Sequence, residues 1–576
     1  MAADAVGADV PSRQTARCAV VWRHPVRTVA VAALAAAAYQ SWWLLTHRHT
    51  GGWGVDEAAY ASIALRLERA LSSDGLGAIL RAFINSPRHA PLVPLLSVPF
   101  VALGGRSNAA VLLVQPVLYA ALAVLVAALV SRTSRSAAAL VAGVVTLGLP
   151  VLIADARSYQ FALAPAVFLI AAVLAVVSSE RGERRGQMIW FGLATGALLL
   201  SRTMTVAFLP ALAVGWWVAS SRTKRSWWNL LAAAGAALAV AAPWWIAQRR
   251  SVGAYLFSFG YGSGATQIEA VPLPLRLPVR LGFAMVEIRP LLVVPGVVVV
   301  TAAVVSAVRW RRANRRLAGW PAATRSHAVL LVGLVGLLSS SNMGAGFQVP
   351  LDVLGVALVA SVGGTLAGRW ERVAASVAVL AAIANIALVS TVRPFATVPN
   401  GSATMSLVAF AGTEEQQHQD FALDDARFQS ANGWVRRSAA ERAWATASTQ
   451  VARAVAAVDG TNGPVVVTMI GETNLLNSAT LGLLAERTPQ RGQLYESPAT
   501  PESLLNRTVN LDPFVDGVGP RVLVAVVPPG GRRSPSVAAA DYLPRAVAQG
   551  WKVRRTLRLP AGAQAVVLTH PVNDAR

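Results

Sequence analysis

Runs of apolar residues long enough to cross a bilayer recur from Thr28 to about residue 391, separated by short loops rich in arginine. Windows near 28–46, 108–130, 136–154, 160–178, 187–201, 203–219, 227–246, 290–308, 327–343, 349–367 and 373–391 predict about eleven membrane-spanning helices. Ser201-Arg202-Thr203 interrupts one nearly continuous apolar run, so the fifth and sixth windows read either as two helices or as one broken helix with the polar step buried. After residue 392 the pattern changes. Residues 463–470, 521–527 and 565–569 read as buried strands, and 438–457 as a helix opened by a Ser438/Glu441 capping box. The fold class is therefore mainly α: a polytopic transmembrane helical bundle followed by a small α/β domain.

Composition agrees with this pattern and narrows it. The chain has 576 residues, 55% of them hydrophobic and only 14% charged, which is too apolar for an ordinary soluble protein. Its formal net charge of +23 suggests nucleic acid at first sight, but the basic residues sit in short loops between apolar runs, where they act as a topology signal. With the N-terminus cytoplasmic, Arg132/Arg135, Arg181/Arg184/Arg185, Arg222/Lys224/Arg225, Arg309 to Arg316 and Arg369/Arg372 all fall inside. The implied plan is a cytoplasmic arm over 1–27, a transmembrane domain over 28–391 with external loops 47–107 and 247–289, and an extracytoplasmic domain over 392–576. The expected setting is a plasma membrane crossed many times. The single cysteine, Cys18, excludes an intramolecular disulfide and a cysteine-based zinc cluster.

Candidate chemistry gathers at the external ends of the helices. Asp56 and Glu57 follow the first span, in a chain with few carboxylates, and adjacent carboxylates at an interface suit a general base, a metal ligand or an acceptor for a polyhydroxylated substrate. The competing reading is a helix cap followed by an acidic first turn. Tyr60 to Glu68 has the spacing of an amphipathic helix lying on the membrane. Arg88 and His89 stand in a proline-stiffened segment, able to pair with and hydrogen-bond a phosphate, or simply solvated in the headgroup region. Asp155, Arg157 and Tyr159 meet the membrane boundary at the next external turn.

Asp56-Glu57-x-x-Tyr60, followed by His89-Ala-Pro-Leu92, resembles the large first loop of polytopic GT-C glycosyltransferases, and most closely that of the protein mannosyltransferase and aminoarabinose transferase group. The resemblance continues through Gly192 to Arg202, Phe208-Leu-Pro-Ala-Leu212 and Pro243-Trp-Trp-Ile-Ala-Gln-Arg249, and spans the transmembrane region by topology. It implies a sugar donor carried on polyprenyl phosphate, an external active site and single displacement with inversion. It also places Asp155 at the acidic position after the third span. Where such enzymes often carry a basic-aromatic element before a proline, Phe347-Gln-Val-Pro350 has no basic residue, which departs from the pattern.

On this reading Asp56 is the general base, with Glu57 or Asp155 orienting the acceptor or a divalent ion; if an ion is present, Asp56 and Glu57 are its ligands. Arg88, His89, Arg249 and Arg250 bind the donor phosphate, the last two being basic residues on the external side against the usual bias. Tyr60, Arg157, Tyr159, Arg202 and Tyr261 contact substrate, while Tyr255, Phe259, Asn342, Gln348 and Asp352 are weaker neighbours of the same face. The expected partners are a polyprenyl-phosphate-linked sugar, a lipid, glycan or protein acceptor and the bilayer, with no nucleic acid. A lipid or polysaccharide transporter, or a non-catalytic scaffold with a glycan-binding C-terminal domain, stays open as an alternative. A transporter would favour ionisable groups at mid-membrane, whereas these cluster at helix ends.

Overall fold

The structure is a computed structural model describing residues 24–48, 53, 55–86, 89–159, 161–257, 296, 322–338, 349–364, 369–390, 398–400, 403–405, 439–459, 465–470, 476–487, 494–496, 522–527, 539–548 and 550–569. Its helices are α1 (Pro25–His47), α2 (Val55–Ile84), α3 (Leu92–Gly104), α4 (Asn108–Leu112), α5 (Val114–Thr133), α6 (Ser136–Leu147), α7 (Pro150–Asp155), α8 (Leu163–Ser178), α9 (Arg185–Ser201), α10 (Phe208–Ala219), α11 (Lys224–Ala247), α12 (Arg249–Tyr255), α13 (Ala322–Leu338), α14 (Val349–Gly363) and α15 (Arg369–Ser390). Every predicted span coincides with a helix or helix pair except 290–308, which lies almost wholly outside the described residues. Pro25–Thr46, Asn108–Thr133 and Lys224–Ala247 are each long and apolar enough to cross a membrane unaided. Val31, Leu34, Leu231, Leu238 and Leu380 point outward, as apolar side chains do where lipid is the solvent.

Small residues set the packing of the bundle. Gly192 and Gly196, one turn apart on α9, face α11 so closely that a Cβ on Gly192 would run into the backbone of Ala233, and one on Gly196 would lie 2.8 Å from the Ala237 carbonyl oxygen. The third predicted span is two helices, α6 and α7, broken at Gly148. There the backbone of Ala382 on α15 leaves no room for a side chain, and Asn385 Nδ2 donates to the Gly148 carbonyl at 3.0 Å. A carbonyl released by the break thus finds a donor inside the bundle. The Ser201-Arg202-Thr203 step is likewise a real break, because Arg202 is extended and a 3₁₀ turn, Thr203–Ala207, leads into α10. Thr205 Oγ1 donates to the Leu198 and Arg202 carbonyls, both at 2.7 Å, so the broken backbone is satisfied by its own side chains.

Loop 47–107 is more helical than the sequence pattern suggests. The amphipathic segment at Tyr60 begins the 30-residue α2, which turns at Gly75 with φ 72°, a conformation that suits glycine. Most residues from Glu57 to Glu68 are buried, so this helix does not lie on the membrane with one wet face. Both α3 and a helix of the C-terminal region, α17 (Ser478–Glu486), pack against it.

The C-terminal region also contains α16 (Ala439–Asp459), α18 (Ala539–Ala548) and strands β1 (Val398–Asn400), β2 (Ala403–Met405), β3 (Val465–Ile470), β4 (Leu494–Glu496), β5 (Val522–Val527), β6 (Lys552–Arg558) and β7 (Gln564–Thr569). The first two strands form a small antiparallel ladder. The rest form one sheet in the order β4-β3-β5-β7-β6, parallel through β4, β3 and β5 and antiparallel at β7 and β6. The three strands read from apolar runs are β3, β5 and β7 at its centre. β6 escaped that reading because it is an edge strand, mostly exposed and carrying Lys552, Arg554, Arg555 and Arg558, the charge pattern that discourages edge pairing.

If the α9–α11 seam depends on bare backbone contact, Gly192→Val costs about 1–3 kcal/mol or more through overpacking. A lowered thermal midpoint in detergent checks this, with Gly235→Ala as the tolerated control, since nothing lies within 4 Å of a Cβ there.

Candidate functional site

The end of α1, the start of α2 and the turn after α7 meet at one buried ion pair. Arg48 Nη2 donates to both Glu57 carboxylate oxygens at 3.1 Å, and each side chain is 1% exposed. Arg48 Nη1 donates to the Arg157 carbonyl at 2.9 Å, while the Tyr159 amide donates to Glu57 Oε1 at 2.8 Å. Three chain segments far apart in sequence are therefore pinned by two side chains. A buried pair holds when such extra hydrogen bonds satisfy its remaining lone pairs and protons. Asp56 lies in the first turn of α2, adjacent in the chain to this pinned carboxylate; its side chain is outside the described residues.

The Asp155–Tyr159 turn is buried throughout. Arg157 Nε donates to Gln40 Oε1 at 2.7 Å, and its guanidinium sits 4.3 Å from the centroid of Trp43. Burial pulls its pKa down to about 10, so it stays cationic at neutral pH. The Tyr159 hydroxyl shares a 2.6 Å hydrogen bond with Ser97 Oγ, and burial raises its pKa. Trp53 closes the group: its Nε1 donates to Asn108 Oδ1 at 2.9 Å, its ring meets Tyr159 edge-on, and Arg48 lies 5.6 Å from its centroid.

A second, aromatic cluster adjoins the first. The Tyr60 ring lies 4.7 Å from His89 and packs against Phe161 at 3.3 Å between centroids, and Arg202 sits 5.8 Å from the Phe161 ring. Residues from segment 47–107, the turn after α7 and the α9–α10 break are thus brought together. The junction of α11 and α12 is tied to the same region, since Trp244 Nε1 at the end of α11 donates to the Ser86 carbonyl and Gln248 Nε2, just before α12, to the Ile84 carbonyl, both at 2.9 Å. Val252 packs with Ala90 and Leu200. Arg249 and Arg250 at the start of α12 are both exposed.

Glu57, Tyr60, His89, Asp155, Arg157, Tyr159 and Arg202 are accordingly gathered on one side of the bundle. Arg88, Tyr261, Phe259, Asn342 and Gln348 lie outside the described residues, and Asp352 is buried in the first turn of α14. Two of these side chains already have partners within the protein. The Glu57 carboxylate accepts from Arg48 and from the Tyr159 amide, and Arg157 donates from Nε to Gln40 with its guanidinium against the Trp43 ring. A divalent ion at Glu57 would have to displace a buried guanidinium; among the described residues no three His, Cys, Asp or Glu side chains form a metal-binding group.

Arg48, Trp53, Asn108 and Phe161 were missed in the sequence. Arg48 carried a legible signal, a basic residue at a span end predicted to be external, against the charge bias, the same signal that drew attention to Arg249.

Residues 88–246 match the family described as dolichyl-phosphate-mannose-protein mannosyltransferase, a glycosyltransferase-family domain. ArnT from Cupriavidus metallidurans bound to undecaprenyl phosphate superposes with a TM-score of 0.56 at 15% identity, covering 94% of this chain and 98% of that one. The same enzyme in the apo state gives 0.54 at 16% identity, over 93% and 97% of the two chains. The Archaeoglobus fulgidus oligosaccharyltransferase complexed with zinc and sulfate gives 0.48 at 11% identity, over 95% and 74%. The chain has the GT-C fold. No curated protein matches it in sequence. Within this GT-C fold the mannosyltransferase-family match begins at Arg88 and runs to the end of α11, so it contains His89, Asp155, Tyr159, Phe161 and Arg202, whereas Asp56 and the Arg48–Glu57 pair precede it.

Removing one member of the buried pair leaves the other charged and unpaired. Arg48→Met and Glu57→Leu singly are each expected to cost about 3–5 kcal/mol, and the double variant less than the sum of the two. Thermal unfolding of the four proteins in detergent closes the cycle; additive losses would show that the pair does not act as a unit.

Proposed function

We propose that this protein is a membrane glycosyltransferase that moves a sugar from a polyprenyl-phosphate carrier to a lipid, cell-wall glycan or protein acceptor at the extracytoplasmic face, with Asp56 as general base. One observation carries the reading: in a GT-C fold, the turn bearing Asp56 is locked by Glu57 and Arg48 onto the Asp155–Tyr159 turn, beside Tyr60 and His89. A base must be held within hydrogen-bond reach of the proton it takes, and a rigid mount on buried elements supplies that.

Asp56 takes the proton of an acceptor hydroxyl as its oxygen attacks the anomeric carbon. The bond to the carrier phosphate breaks on the opposite face, and the departing phosphate carries away the electron pair. Asp155 orients the acceptor. Arg88 and His89, with Arg249 and Arg250 just beyond the α11 end that bonds Ser86 and Ile84, oppose the charge that grows on the phosphate. Tyr60 and Arg202, both against the Phe161 ring, form one wall for the sugar. The multi-pass bundle spans the plasma membrane with its N-terminus in the cytoplasm; residues 28–391 form the transmembrane unit and 392–576 the external one. The arginine-rich loops 132–135, 181–185 and 222–225 support this orientation. Bound undecaprenyl phosphate in the similar ArnT structure supports the choice of carrier.

Asp56→Asn keeps the side chain's size and removes its basicity. With purified protein, a panel of radiolabelled polyprenyl-phosphate sugars and membrane extract, it is expected to slow transfer by about 10²–10⁴-fold while the protein inserts normally. A wild-type protein that transfers none of these sugars, or an Asp56→Asn variant as fast as wild type, would refute the assignment.

A further inference from the structure

Helix α17 brings a cation from the C-terminal region to the Asp56 turn. Its last residue, Glu486, pairs with Arg69 of α2 at 2.8 Å and with Arg66 at 3.9 Å, and Thr480 Oγ1 donates to the Trp53 carbonyl at 3.4 Å. These contacts seat the next residue, Arg487, with its guanidinium 5.7 Å from the Trp53 ring centroid. Trp53 is three positions before Asp56, and the same indole takes Arg48 and Asn108.

The neighbouring arginines all have acceptors: Arg48 has Glu57, Arg157 has Gln40, and Arg66 and Arg69 share Glu486. Arg487 differs. Its Nε and Nη2 are shielded from solvent and donate no hydrogen bond, and among the described residues no carboxylate pairs with it. Burial lowers its pKa to about 10, which leaves it charged at neutral pH. Leaving two buried guanidinium donors unmade is costly, and a native structure retains such a group where something else fills it. Nε–H and Nη2–H are the two donors on the side-on edge of a guanidinium, the edge that grips two oxygens of one oxyanion in parallel.

We infer that Arg487 is an anion-binding residue contributed by the C-terminal region to the site, its side-on edge taking two oxygens of a phosphate-bearing ligand. The inference rests on the proposed use of a polyprenyl-phosphate carrier. It makes the C-terminal region part of the site, through the contacts of Thr480 and Arg487 with Trp53.

The test measures binding of polyprenyl phosphate, uncharged polyprenol and inorganic phosphate to the full-length protein in detergent, for wild type, Arg487→Ala, Arg487→Lys and the exposed control Arg558→Ala. Loss of the charge-assisted pair should weaken polyprenyl phosphate about 10–100-fold in Arg487→Ala, with Arg487→Lys in between because a point charge lacks the planar edge. Polyprenol binding and the Arg558→Ala control should not change. Displacement by inorganic phosphate in wild type but not in Arg487→Ala identifies free phosphate as sufficient; dependence on Arg487 without such displacement identifies the lipid headgroup as the source. Equal affinity of Arg487→Ala and wild type, with melting curves matched, overturns the inference, as does an equal loss of polyprenol, which would make Arg487 a packing residue. If Asp56→Asn still abolishes transfer in that case, only the inference falls. A wild-type protein with no affinity for polyprenyl phosphate overturns both.

Discussion

Arg48 and Glu57 are nine residues apart in the chain, on either side of the Trp53 loop, and almost no water reaches them. Their contact decides where three segments stand. The guanidinium holds the Arg157 carbonyl and the carboxylate holds the Tyr159 amide, so the end of α1, the start of α2 and the turn after α7 cannot move independently. From that junction the aromatic cluster follows, for Tyr60 is one turn further along α2 and Phe161 two residues beyond Tyr159, and these two rings meet. A buried ion pair is a poor source of net stability compared with apolar packing, and its usefulness lies in fixing geometry.

The bundle also accommodates two breaks in its helices. Breaks at Gly148 and at Ser201-Arg202-Thr203 each release backbone groups inside an apolar environment, and each is repaired from within, by Asn385 in one case and Thr205 in the other. Polar residues in the predicted spans thus serve the backbone first. The same logic separates the charged residues of the site into two kinds. Glu57, Arg48 and Arg157 are consumed by the frame, whereas Arg249 and Arg250 are exposed on an element that the frame anchors.

Much of the fold was legible before any coordinates. Apolar runs located the spans and the inner strands, because burial on all sides demands continuous hydrophobic sequence whatever the partner. Edge strand β6 and helix α3 were not legible: the first is mostly exposed and charged, and the second follows prolines that signal a loop locally but tolerate a helix beginning at Leu92. The Gly192/Gly196 pair was quoted for its resemblance to a family, yet its physical role, close approach to α11, became visible only with α11 in place.

For the site, the sequence by itself determined which residue types stand at the helix ends it predicts to be external: an acidic pair, an imidazole, a second carboxylate and several arginines. Local spacing and charge bias carry that information, since both depend only on the chain and the membrane. Tertiary structure alone decided how the acidic pair divides, with Glu57 drawn into the frame by an arginine from one segment and an amide from another. It also decided that α17, more than four hundred residues away in the chain, delivers Arg487 to Trp53. Ion pairing and stacking act over a few ångströms of space, and separation along the chain carries no record of them.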